Sequence, residues 1–161
     1  LVMGNTFAGM RREVWLAADE ELRSRARSVW DRRRRDGVKR ALAIGFARRE
    51  KQKAFLYKQI RLLNEEGPNH LQTEERVMRL RALERDPDVA ASREALAAIR
   101  APVLFIGGEQ DEVKPPSLME IACGLTPGAR MIVVPGAGHS VYFEEPDTFN
   151  RIVLEFLTEV L

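Results

Sequence analysis

Pro102-Val103-Leu104-Phe105-Ile106-Gly107-Gly108-Glu109-Gln110-Asp111 is the stretch that decides how this chain folds. Val103 to Ile106 is an unbroken apolar run, closed by two glycines and followed at once by polar residues. A strand with one wet face would alternate; a continuous run fits a strand buried on both faces of a parallel sheet. Met131-Ile132-Val133-Val134, closed by Pro135-Gly136, is a second run of the same kind. Between the two, Ser117-Leu118-Met119-Glu120 has the spacing of a capping box. It predicts a helix carrying Leu118, Ile121, Ala122 and Leu125 and halted by Thr126-Pro127-Gly128. Phe149, Ile152, Val153, Phe156, Leu157 and Val160 then recur at helical spacing, predicting a closing amphipathic helix. Strand, helix, strand, helix with short connections is an α/β unit with parallel crossovers.

Working outward, the texture changes at Ala101-Pro102. Residues 11–100 carry a net charge of +8 and residues 101–161 a net of −6, within a chain of net +2. The basic part reads as helical from 11 to about 98, with long charged side chains and few β-branched runs. Val14, Leu22, Ala26, Val29 and Trp30 form a first stripe, ending before Asp36-Gly37. A second stretch runs from Val38 to about Asn64 with Leu42, Phe46, Phe55, Leu56, Ile60 and Leu63 on its apolar side, stopped by Glu65-Glu66-Gly67-Pro68-Asn69. A third helix is expected from Thr73, with Val77, Leu80 and Leu83, and a short fourth from Ser92 to Ile99. Leu1 to Met3 can form a short buried strand. That opening lacks both an initiator methionine and a polar lead-in, which reads as a fragment, a processed chain or a partial reading frame.

With 45% hydrophobic and 31% charged residues, the composition is that of a folded globular protein and not of a disordered chain. No apolar run approaches the roughly 20 residues a membrane span requires, so no membrane partner is expected. The one cysteine, Cys123, can build neither a disulfide framework nor a zinc site. It suits a reducing compartment, and cytoplasmic location is the expectation.

Two ionisable residues stand just beyond the predicted strands, where open parallel sheets gather their functional groups. Asp111 lies five residues past Ile106, and His139 five past Val134 in Gly136-Ala137-Gly138-His139-Ser140. Adjacent strands would put both loops on one rim. A carboxylate accepting the Nδ1–H of a histidine fixes its tautomer and stabilises the imidazolium when the ring takes a proton. Glu109 and Glu112 compete with Asp111 for that role. The other histidine, His70, sits beside a turn as a solvated loop residue.

These segments resemble the α/β-hydrolase fold superfamily. Pro102 to Asp111, followed by Pro115-Pro116, is similar to that family's acid-bearing strand and loop. Gly136-Ala137-Gly138-His139, followed by Glu144-Glu145-Pro146, resembles its histidine loop and the start of its last helix, and acid before histidine matches the triad order. Leu1 to Thr6 resembles the sixth strand, after which many members insert a helical cap. The resemblance implies the C-terminal part of a hydrolase parallel sheet with an inserted all-helical cap. Residues 1–10 would be core strand leading into the cap, 11–100 the cap and 101–161 the remaining core. It implies a hydrolase in which Asp111 is the triad acid and His139 the general base, acting on a small-molecule ester, lactone or C–C substrate without metal or organic cofactor.

One departure outweighs the matches. Gly-x-Ser-x-Gly, which presents the nucleophile and helps build the oxyanion hole, is absent: Ser24, Ser28, Ser92, Ser117 and Ser140 lack flanking glycines at the required spacing. The nucleophile is therefore expected outside this chain, which would be inactive by itself and would pair with a missing N-terminal half or with a copy of itself. The alternative is a non-catalytic small-ligand-binding relative. Arg32-Arg33-Arg34-Arg35 suggests nucleic acid, but Asp31 and Asp36 bracket it and no binding motif accompanies it, so a solvated helix face is expected.

Overall fold

The computed structural model describes residues 1–4, 6, 8–36, 41–65, 75, 78, 79, 82, 83, 86 and 90–161. The stop at Gly67-Pro68-Asn69, His70, and the Thr73, Val77 and Leu80 positions of the expected third helix lie outside them. Three strands form a parallel sheet in the order β1 (Val2–Gly4), β2 (Leu104–Gly108), β3 (Arg130–Val134). Val2 stands opposite Leu104, and Leu104 opposite Arg130. This is an α/β fold, as the apolar runs predict.

Because successive side chains of a strand point to opposite faces, the run around β2 feeds two cores. Val103 and Phe105 join Met10, Val14, Leu96, Ile121 and Ala122 on one face. Leu104 and Ile106 join Val134, Ala137, Val141, Ile152 and Phe156 on the other. Every residue of β2 is buried. The first face is covered by the helix Pro116–Leu125 and by both ends of the segment inserted between β1 and β2; the second is covered by the closing helix Pro146–Val160. A parallel bridge between Met10 and Ala91 ties the two ends of the insert together.

β3 departs from expectation. Of its five residues only Val134 is buried, and Ile132 and Val133 are exposed. It is the edge of the sheet, paired on one side only among the described residues, so the helices that sandwich β2 do not fully cover it.

The insert contains α1 (Arg12–Leu16), α2 (Glu20–Asp36), α3 (Ile44–Arg49), α4 (Lys51–Glu65) and α5 (Arg93–Ala97). The first predicted stripe is two helices, because the Asp19 carboxylate accepts the Glu21 and Leu22 amides at 2.8 and 3.3 Å and restarts the helix there. The second is also divided, at Glu50, whose backbone (φ −113°, ψ 57°) leaves the helical region. The break lets Phe46 and Tyr57 both meet Phe143 edge-on, at 6.2 and 5.0 Å between ring centres. Phe55, Leu56, Ile60 and Leu63 of α4 are exposed rather than packed.

The capping box at Ser117 does not form. The helix α6 (Pro116–Leu125) starts two residues earlier than that cap implies, on a proline with preset φ, Ser117 is buried, and Glu120 makes a two-pronged bond to Arg25 of α2, both arms 2.9 Å. After it come α7 (Val141–Glu144) and α8 (Pro146–Val160). Ser92 does cap α5, accepting the Ala95 amide at 3.2 Å. Ser92→Ala should cost about 1 kcal/mol of stability, read as a lowered denaturant midpoint at unchanged slope. Among the described residues no helix is long and apolar enough to cross a membrane.

Candidate active site

The β2 and β3 ends are locked together beyond the sheet proper. Glu109 donates its amide to Val134 O at 3.0 Å and Gln110 donates to Ala137 O at 2.8 Å, so pairing continues into the loops that follow. This backbone approach requires Gly108: a Cβ there would lie 2.1 Å from Gly138 O and 2.4 Å from Ala137 O. Glycine at 108 therefore sets how closely the two loops meet.

Across that junction His139 Nδ1 stands 2.9 Å from Asp111 Oδ2. Asp111 is buried, and its other oxygen accepts the amides of Val113 and Lys114, each at 2.8 Å. A carboxylate held this way is acceptor-only, so the ring proton belongs on Nδ1 and Nε2 keeps its lone pair. The histidine side chain remains 27% exposed, and no described residue hydrogen-bonds its Nε2. An oriented imidazole with a free basic nitrogen can take a proton from a nucleophile placed against it.

Of the competing acids, Glu109 turns away and accepts the Gly136 amide at 2.9 Å, holding the positive-φ turn before the histidine. Glu112 offers its backbone carbonyl to Arg33 at 3.2 Å, and Trp30 Nε1 reaches Val113 O at 3.4 Å. Helix α2 thus braces the acid loop. Arg33 is used in that brace and Arg34 pairs with Asp31, so two members of the arginine run have partners within the fold.

Neither candidate nucleophile within the chain is presented to His139. Ser140 is buried and its Oγ lies 2.6 Å from Tyr57 OH of α4. The Cys123 thiol sits 3.5 Å from Ala129 O, and burial pushes its pKa up, which keeps it protonated. No group of three or more metal-ligating side chains occurs among the described residues.

Sequence reasoning placed Glu144 at the start of the last helix and gave it no part in the histidine loop. It is buried, and its carboxylate accepts the amides of Gly138, Ser140 and Ala43. The signal available in the sequence was an acid at the end of a short apolar run after the histidine, which is indistinguishable from a helix-start carboxylate.

The α/β-hydrolase family model, described as "Alpha/beta hydrolase family", matches residues 2–152, and the chain belongs to that family. Among curated relatives it is 40% identical over 62 residues to a putative non-heme bromoperoxidase of Mycobacterium tuberculosis, covering 38% of this chain and 24% of that protein. It is 44% identical over 62 residues to a putative 2-succinyl-6-hydroxy-2,4-cyclohexadiene-1-carboxylate synthase of Bacillus subtilis, covering 38% of this chain and 22% of that one. Among solved structures, a thermophilic esterase of Thermogutta terrifontis superposes with a TM-score of 0.62 at 24% identity, covering 99% of this chain and 56% of that chain. The similarity to solved structures speaks to fold, and the chain spans little more than half the length of that neighbour.

Proposed function

We propose that this chain contributes the acid and the base of a hydrolase triad, with a nucleophile supplied by residues outside it. The observation that carries this reading is the 2.9 Å contact between His139 Nδ1 and the buried Asp111 carboxylate. The nucleophile attacks the substrate while His139 Nε2 takes its proton; Asp111 holds the ring in the correct tautomer and stabilises the imidazolium. His139 then returns the proton to the leaving group. The substrate class is a small ester, lactone or C–C compound. The curated relatives' names state different reactions, in keeping with a fold whose nucleophile and cap decide the chemistry. Residues 11–100 serve as the cap in this reading, and the outer edge of β1 accepts the next strand of a longer sheet.

A fluorophosphonate probe, which bonds to an activated serine, tests this. A polypeptide extended upstream through the nucleophile should be labelled, His139→Ala should abolish labelling, and residues 1–161 by themselves should stay unlabelled. Labelling that survives His139→Ala rejects the proposal. The alternative, a non-catalytic ligand-binding relative, has no nucleophile for His139 to activate. An extended polypeptide that takes no label would support it.

A further inference from the structure

The buried carboxylate of Glu144 stands apart from the acid–base pair and faces only backbone amides in its hydrogen bonds. Gly138 donates to Oε1 and Oε2 at 3.1 and 3.0 Å, Ser140 donates to Oε1 at 3.2 Å, and Ala43 donates to Oε2 at 2.9 Å. Gly138 and Ser140 flank His139, so one side chain grips the backbone on both sides of the histidine. Ala43 lies 101 residues away in sequence and immediately precedes α3. Ala43 is the N-cap residue of that helix and makes no side-chain cap; Glu144 accepts its backbone amide, the bond that a glutamate inside the helix makes in a capping box.

An ionised carboxylate is acceptor-only and matches three converging N–H donors, whereas burying it unpaired would be costly. The surroundings leave little slack. A Cβ on Gly138 would lie 2.5 Å from Ala43 N and 2.9 Å from Leu42 C, so the histidine loop and the Leu42–Ala43 turn are in backbone contact. Next to Glu144, Phe143 is wedged between Phe46 and Tyr57, and Tyr57 also holds the Ser140 hydroxyl.

We infer that Glu144 is a positioning residue that fastens the histidine loop to the inserted helical segment, so that His139 is aligned only while the Leu42–Ala43 turn is seated. The inference rests on the reading of His139 as the base. It makes the helical insert part of the alignment of the base as well as a cover over the site. A shift of the turn away from Glu144 would remove one donor and loosen the loop by the same movement.

Glu144→Gln keeps the volume but points an NH2 group at N–H donors. In the extended, active polypeptide kcat should fall about 10- to 100-fold with KM within about twofold, since misplacing a catalytic group affects turnover more than binding. Amide hydrogen exchange, which needs no turnover, should accelerate about tenfold or more in two separate segments, 137–141 and 42–45. Ala43→Pro breaks the link from the other side: its φ of −60° suits proline, the donor is lost, the ring Cδ is directed at the Glu144 oxygen that the amide had bonded, and kcat should fall in the same way. Glu145→Gln, which alters an exposed pair with Arg49, is the control expected to leave both readouts unchanged. Unchanged kcat in Glu144→Gln, or faster exchange confined to 137–141, overturns the inference. A polypeptide with no hydrolase activity but coupled exchange in the two segments would instead overturn the catalytic reading and leave the link standing.

Discussion

Asp111→Asn in the extended, active polypeptide should lower kcat about 10⁴-fold, equivalent to about 5.5 kcal/mol of transition-state stabilisation, with KM little changed. The size of the effect follows from where the two oxygens point. Oδ1 accepts the amides of Val113 and Lys114, and Oδ2 meets His139 Nδ1 at 2.9 Å. An asparagine in that pocket can direct its oxygen to the two amides, which leaves its NH2 facing the ring. Nδ1 must then become the acceptor and the proton moves to Nε2, which removes the lone pair that has to take the nucleophile's proton. His139→Ala should be at least as severe, because it deletes the base. Steady-state kinetics on a small ester would measure both. A loss of less than about tenfold in Asp111→Asn would show that the acid does not set the tautomer.

Gly108→Ala should destabilise the fold by about 3 kcal/mol, at the upper end of ordinary overpacking costs, and should part the acid from the histidine. The added methyl would sit 2.1 Å from Gly138 O, 2.4 Å from Ala137 O and 2.7 Å from Ala137 C. These are backbone atoms of the histidine loop, which cannot swing aside as a side chain would. Gly107 makes a useful contrast. A methyl added there would meet the flexible end of Met119 instead, so Gly107→Ala should be the milder change. Chemical denaturation of both variants gives the comparison. A Gly108→Ala protein as stable as the parent would mean that the loops can separate at no cost, contrary to the pairing of Gln110 with Ala137 O.

Much of this fold is legible in local sequence because burial leaves a periodic trace. Val103 to Ile106 reads as a doubly buried strand, and β2 is one, since adjacent residues enter two different cores. The closing helix is equally plain, with Ile152 and Phe156 buried as their spacing implies. The same logic fails where periodicity does not record what covers a surface. Met131 to Val134 has the composition of a central strand, yet its place at the sheet's edge leaves Ile132 and Val133 exposed. Ser117 to Glu120 has the letters of a capping box, yet Pro116 starts the helix earlier and Arg25 draws Glu120 outward.

The candidate site divides in the same way. Two strand ends carrying an acid and a histidine can be read from the order of residues, because parallel strands deliver the loops at their C-terminal ends to one side. Three acids stand within four residues of one another at the first of those loops, and nothing local ranks them by contact.

By itself the sequence determined the α/β class, the order of Asp111 and His139 behind their two strands, and the lack of a serine with glycines two residues to either side, all of which are written in neighbouring residues. Only the tertiary structure decided that Asp111 meets the ring while Glu109 holds Gly136, that Gly108 is a contact point, and that Glu144 reaches Ala43 across 101 positions. The physical reason is range. Hydrophobic periodicity is a property of a few successive side chains, whereas a hydrogen bond between distant segments exists only once the packing has brought donor and acceptor within about 3 Å.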